Sequence, residues 1–335
     1  MDRSRMYFCP NLATGLTTQT ISAELAKTVF GDSGFAELLK TRYDQMVHWF
    51  RGAHYNDPHW DLEEPFSDCT NKADCDKKDA RLVVPRSRLV SAPQNVTRLF
   101  DYDNFGHDMP VWVSYNQDPN AKRVMIVSQD PLRGSKNAKD EKGSLYLSTP
   151  FGIHSPDFEN GGMDSRVHDM LNAFLDAGFC VYLTDNMKFY ATRANKKEES
   201  IVKEEIRQNQ NGYKSLFSKI IELEIGMFDP NLILILGLEV RDRRLTETSL
   251  VYATHPGDGF EVQNLNLVIH DRNNNPTERR EDVISAYHPS GARGRATPII
   301  RRLVQQKVGR NVEKPICKYY ELIAEEVCNH LSALR

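Results

Sequence analysis

The stretch Val124-Met-Ile-Val-Ser128, closed by Gln129-Asp130-Pro131, decides how the chain is read. Four apolar residues in a row, stopped by an Asp-Pro turn, mark a strand buried on both faces, because a half-exposed strand would alternate polar and apolar positions. Three further runs share this form. Phe179-Cys-Val-Tyr-Leu-Thr184 ends at Asp185-Asn186, Leu232-Ile-Leu-Ile-Leu236 ends at Gly237, and the weaker Asp282-Val-Ile-Ser-Ala286 ends at Tyr287-His288-Pro289. Helical periodicity covers residues 163–177, 198–227 and 238–246 between them, and residues 298–307 after the last. Buried strands alternating with helices predict an α/β fold: three αβα layers around a central, mostly parallel, four-stranded sheet. In such sheets ligands sit outside the carboxyl ends of the strands, and each polar cluster just quoted stands at one.

Outward from this core, residues 106–335 form the α/β domain and residues 1–105 a largely helical, loop-rich extension. In the extension, Phe35, Leu38, Leu39, Tyr43, Met46 and Phe50 fall at helical spacing, while residues 56–79 are rich in Asp, Asn, Pro and Lys and read as loop. No run approaches 18 apolar residues, so no membrane span is expected. The opening MDRSRMYFCP lacks the apolar centre of a secretory signal, and six scattered cysteines suit free thiols in a reducing compartment. A cytoplasmic location is therefore expected. The net charge of −3 argues against a uniformly basic nucleic-acid binder, but the charge is uneven. Residues 272–310 carry nine Lys/Arg against three acids, a local balance of +6 suited either to a phosphate backbone or to a solvated helix face.

Two strand ends resemble a known pattern. Ser128-Gln129-Asp130-Pro131 follows the first core strand, and His288-Pro289-Ser290-Gly291 follows the last. Each is a common turn alone; their order and their placement after strands resemble the uracil-DNA glycosylase superfamily, where a Gly-Gln-Asp-Pro loop and a His-Pro-Ser loop take these places. The resemblance covers roughly residues 110–305. It implies a DNA glycosylase with Asp130 and His288 as catalytic residues. Cleaving an N-glycosidic bond builds positive charge on the sugar and negative charge on the departing base. A carboxylate (Asp130) meets the first and orients water, while a donor (His288) meets the second. The resemblance also implies that Gln129 helps hold a flipped-out base.

The departures from the family pattern bear on which base. Where uracil-specific members carry a base-reading Asn, this chain has Asp185, with Asn186 one residue later. A carboxylate accepts from an exocyclic amine and so suits cytosine N4; a one-residue shift would instead make Asn186 the reader. The Tyr that closes the family's pocket against a 5-methyl group, and the His after it, are replaced by Leu132-Arg133. That opens room at C5 and places a cation near phosphate. The family's stacking Phe falls near Tyr146 or Leu147, and Phe151 is a further stacking candidate. After Ser290 the loop runs Gly291-Ala292-Arg293-Gly294-Arg295 in place of a bulky Leu wedge. Arg293 and Arg295 would grip phosphates or fill the gap, and Gly291 would let the backbone approach DNA.

The expected activity is that of a monofunctional glycosylase acting on a modified, 5-substituted cytosine, with no lyase step because no Lys occupies a motif position. Excision of bulky cytosine modifications would suit defence against bacteriophage. The expected partner is duplex DNA with one nucleotide flipped, bound by a monomer. No cofactor and no metal are expected: Cys69 and Cys75 are the nearest pair, and no Cys-x-x-Cys supports an iron–sulfur cluster. His255, which repeats a His-Pro pair, follows no convincing strand and reads as a loop residue. Two alternatives remain, a uracil-excising repair enzyme and a non-catalytic DNA-binding module. A nucleotide-dependent enzyme is disfavoured by the absence of Gly-x-Gly-x-x-Gly or P-loop patterns.

Overall fold

A computed structural model describes residues 7–8, 82–84, 104–108, 110–115, 118, 120–128, 145–153, 165–188, 190–192, 213–237, 260, 262–270, 276–288 and 296–333. The strands are β1 (Tyr7–Phe8), β2 (Leu82–Val84), β3 (Asn104–Asp108), β4 (Val111–Ser114), β5 (Arg123–Ser128), β6 (Leu145–Ser148), β7 (Cys180–Asp185), β8 (Tyr190–Thr192), β9 (Leu232–Leu236), β10 (Gln263–His270) and β11 (Pro276–Ala286). The helices are α1 (Ser165–Asp176), α2 (Tyr213–Phe228), α3 (Thr297–Val308) and α4 (Pro315–Ala333).

The four apolar runs become β5, β7, β9 and β11, adjacent and mutually parallel in the order β7-β5-β9-β11. The sheet is wider than the expected four strands. Antiparallel β4 and β1 extend it beyond β7, and antiparallel β10 extends it beyond β11, giving seven. The reason is local: β10 and β11 flank a polar connection containing Asn273-Asn274-Asn275, so they close as a hairpin. β11 consequently starts at Pro276, six residues before the strand read from the sequence.

Side-chain alternation sorts the sheet into two faces. Val124, Ile126, Val181, Leu183, Leu232, Leu234, Leu236, Ile284 and Ala286 pack with α1, α3 and α4 in one core. Each fully buried Leu, Ile or Val there contributes about 1.5–3 kcal/mol. On the opposite face Trp112 and Tyr182 meet Phe228 of α2, both at ring-centroid distances of 5.0 Å. Among the described residues the fold is thus mixed α/β, with helices packed against both faces of the sheet.

α1 and α3 lie where periodicity placed them, and α2 is the described part of the expected 198–227 helix. α4 was not anticipated, although Tyr319, Tyr320, Ile323, Val327 and Leu331 repeat at helical spacing and are buried. α3 stops at Gly309, whose φ of 74° is the left-handed cap that glycine adopts without strain. The expected helix at 34–50, the loop at 56–79 and the 238–246 helix lie outside the described residues. What is described of residues 1–105 is extended: β1 edges the large sheet, and β2 and the start of β3 belong to a second one.

That second sheet, β2-β6-β3-β8, sits at the carboxyl end of β7. β3 passes into β4 and β7 into β8 through short bends, while β4 pairs with β7 and β3 with β8. It delivers β6, and the turn after it, toward the edge where the polar strand ends lie.

Candidate functional site

Strand alternation puts Ser128 in the row of Val124 and Ile126 and Asp185 in the row of Val181 and Leu183, on one face at the carboxyl edge. β11 ends at Ala286, and His288, two residues beyond it, reaches the same edge beside Ser128. Ser128 and Asp185 are direct partners across the β5–β7 ladder, and the Asn186 N–H donates to the Ser128 carbonyl at 2.8 Å. Ser128 Oγ and His288 Nε2 lie 3.4 Å apart although 160 positions separate them.

His288 is held from two sides. The preceding residue is clamped by α4: the Tyr287 N–H donates to the Tyr319 hydroxyl at 3.2 Å, and the Tyr320 hydroxyl donates to the Tyr287 carbonyl at 2.5 Å. The ring of Phe151 stacks on the His288 ring, centroids 5.6 Å apart and planes inclined by 28°. Phe151 sits in the one-turn 3-10 segment Pro150–Gly152 with φ 60° and ψ 2°, a left-handed conformation that costs a bulky residue on the order of 1–3 kcal/mol. Such strain persists only where the surroundings impose it, and here the imposed feature is a ring laid against His288. Burial pushes the His288 pKa down to about 4, so the imidazole is uncharged at neutral pH and carries one donor and one acceptor nitrogen.

Asp185 is 2% exposed, and Asn186 keeps its Oδ1 buried without a hydrogen-bond partner among the described residues. Behind this turn, on the α2 face, lies a buried polar network. Lys188 Nζ donates to Glu224 Oε2 at 2.6 Å and to Thr184 Oγ1 at 2.7 Å; the Thr184 and Tyr182 hydroxyls donate to Glu224 Oε1 at 2.8 and 3.2 Å. Lys188 and Asp185 also attract each other electrostatically. His107 on β3 donates through Nδ1 to the Lys188 carbonyl, tying the second sheet to the same turn. None of this network was legible beforehand: Lys188 and Glu224 are 36 positions apart, and a buried ion pair has no local sequence signature.

Burial also lowers the His107 pKa to about 4. Between pH 6.5 and about 4 the unfolded chain binds a proton at His107 that the folded chain refuses, so this group lowers stability as pH falls through that window. Urea denaturation at pH 7 and pH 4.5 is expected to show His107→Gln losing less stability on acidification than the parent, by on the order of 2–3 kcal/mol. Equal losses in both proteins would refute the assignment.

Of the other residues singled out, Tyr146 and Leu147 lie on β6 in the second sheet. Gln129, Asp130, Leu132, Arg133, Ser290, Gly291, Arg293 and Arg295 lie outside the described residues, as does His255. The described part of the basic stretch is spread over separate elements. Arg279 pairs with Asp229 and Glu281, and Arg279 and Arg280 lie about 20 Å of strand away from the carboxyl end of β11. Arg301 and Arg302 remain exposed on α3, and Lys307 pairs with Glu326.

Among the described residues no group of three or more His, Cys, Asp or Glu is placed to hold a metal, and no helix is long and apolar enough to cross a membrane. What the arrangement offers chemically is a neutral, desolvated imidazole, a carboxylate with an adjacent amide, and an aromatic ring, all at one sheet edge. No protein-family model matches the chain, and comparison with curated proteins returns no match.

Proposed function

We propose that this protein is a monofunctional DNA glycosylase that excises a modified, 5-substituted cytosine and leaves an abasic site. One observation carries the reading: Ser128, which opens the Ser-Gln-Asp-Pro loop, and His288, which opens the His-Pro-Ser loop, come within 3.4 Å across 160 positions. The first residues of two motifs that are ordinary turns singly thus lie together at the edge where ligands of this sheet class bind.

In this reading the flipped base lies beside Phe151, with Gln129, Leu132, Tyr146 and Leu147 completing the pocket. Asp185 accepts from the cytosine N4 amine. The glycosidic C–N bond breaks with its electron pair leaving on the base, His288 donates to the carbonyl oxygen beside that bond, and Asp130 stabilises the sugar cation and orients the water that adds to it. A neutral imidazole is the right donor for this task, because it stabilises a developing oxyanion without fully protonating it. Arg133, Ser290, Gly291, Arg293 and Arg295 meet the DNA backbone. The enzyme works as a monomer in the cytoplasm, and its biological task is defence against phage DNA carrying bulky cytosine modifications.

The test is to offer duplexes containing uracil, plain cytosine, 5-hydroxymethylcytosine and glucosylated 5-hydroxymethylcytosine, and to count abasic sites. Release of a 5-substituted cytosine, abolished by Asp130→Asn, is expected; efficient uracil release with the modified cytosines intact would overturn the substrate assignment. If Asp130→Asn changes no activity, the enzyme reading itself fails. Uracil is a second reading favoured by one observation, the buried Asn186 amide oxygen lacking a described partner, because an amide reads a uracil edge. Asp185→Asn separates the two. It is expected to raise uracil release about 5- to 100-fold if Asp185 faces the base, by removing an acceptor–acceptor clash, and to leave it unchanged if Asn186 does the reading.

A further inference from the structure

Ser128 stands where the family pattern has glycine, and its hydroxyl has no part in the mechanism above. Yet it touches both halves of the site. Its carbonyl accepts the Asn186 N–H at 2.8 Å, its residue pairs with Asp185, and its Oγ lies 3.4 Å from His288 Nε2. It is 4% exposed, so no bulk water competes for that hydroxyl.

A neutral imidazole bears its proton on one nitrogen only, and the partners of the two nitrogens decide which. Nε2 is the nitrogen turned toward Ser128, and hence toward the β5–β7 edge where Asp185 would read the base. For His288 to donate to that base, Nε2 must carry the proton. Resting on the glycosylase reading, we propose that Ser128 is a positioning residue: its Oγ accepts from the His288 Nε2–H in the base-free protein, holding the donor tautomer until the base carbonyl takes the hydrogen bond over. The length of 3.4 Å suits a place-holder. It is long enough to be surrendered cheaply, while an unmet buried N–H would be costly. Because the same residue anchors Asn186 through its carbonyl, the donor and the base-reading turn are registered to a single rigid strand end.

The experiment has an arm that does not depend on activity. Long-range proton–nitrogen correlation NMR on 15N-histidine-labelled protein without DNA, at pH 7, is expected to show the Nε2–H tautomer of His288 in the parent and in Ser128→Thr. In Ser128→Ala a substantial Nδ1–H population is expected. The same tautomer in Ser128→Ala as in the parent would overturn the proposal, whatever the activity. On the released base found by the duplex panel, Ser128→Ala is expected to lower kcat about five- to tenfold with KM within twofold, and Ser128→Thr to restore it. A fall in KM-dependent binding alone, or no rescue by Thr, also counts against it. Failure of the glycosylase reading appears separately, as absence of base release by the parent, and leaves the tautomer result standing on its own.

Discussion

Lys188→Met is expected to destabilise the fold by about 3–5 kcal/mol, measured by urea denaturation at pH 7. The substitution keeps an unbranched, largely apolar side chain one atom shorter and removes the ammonium together with its two hydrogen bonds. In the parent, the ammonium is met by Glu224 Oε2 at 2.6 Å and by Thr184 Oγ1 at 2.7 Å in a site that is 2% exposed at Lys188. Without it, the Glu224 carboxylate is left in the core with two hydroxyl donors, Thr184 and Tyr182, and no countercharge among the described residues. A buried pair contributes little beyond a well-packed apolar pair, but losing one partner exposes the full desolvation cost of the other. The companion Lys188→Met/Glu224→Leu double variant is therefore expected to recover part of the loss, short of the parent because two hydroxyls lose their acceptor. A single variant within 1 kcal/mol of the parent would mean that the network is not formed in solution. Since Asp185 lies three residues before Lys188, the single variant should also weaken base discrimination more than it weakens DNA binding.

His288→Ala is expected to lower the rate of base release about 10²- to 10⁴-fold, the range over which a positioned proton donor accelerates a reaction. The Tyr319 and Tyr320 contacts are to the backbone of Tyr287, so the strand end keeps its path when the ring is removed. The readout is single-turnover release at saturating enzyme, which separates chemistry from binding and product release. The pH profile adds an independent check. With its pKa lowered to about 4 by burial, the folded His288 is neutral above that value, so its contribution to the rate stays constant from pH 8 down to about pH 5 and is altered only as pH falls through about 4. An acidic limb centred near 6.5 that disappears in His288→Ala would place the ring in water, not in the enclosed setting described above.

The legible and illegible parts of the molecule divide along physical lines. Val124–Val127 and Leu232–Leu236 were readable because a strand covered on both faces must be apolar at successive positions. Gln263–His270 was not, since an antiparallel edge strand tolerates Asn264 and Asn266 on either side of Leu265, which interrupts the apolar run. Tyr7–Phe8 is too short to carry any period, and its partner Val113–Ser114 is over a hundred positions away. In the site, Asp185 and His288 are legible as candidates because each closes an apolar run at a place where the family pattern carries a functional residue, and the structure sets both at the carboxyl edge of the sheet. The Ser128 hydroxyl carries no sequence signal, because a serine's role depends on what lies 3.4 Å from it. The same holds for Lys188: its partner Glu224 is on a different element, and only the folded chain reveals the pairing.

The clamp of Tyr319 and Tyr320 on Tyr287 has a consequence for the order of events during synthesis. The backbone that carries His288 is secured by hydroxyls on the last described helix, so a nascent chain that has emerged only as far as the large sheet holds its two motif loops without that fastening. A chain interrupted before Pro315 would retain the strands and motifs and lack the hydroxyls that fix Tyr287. The site matures late, after nearly all of the described chain has been made.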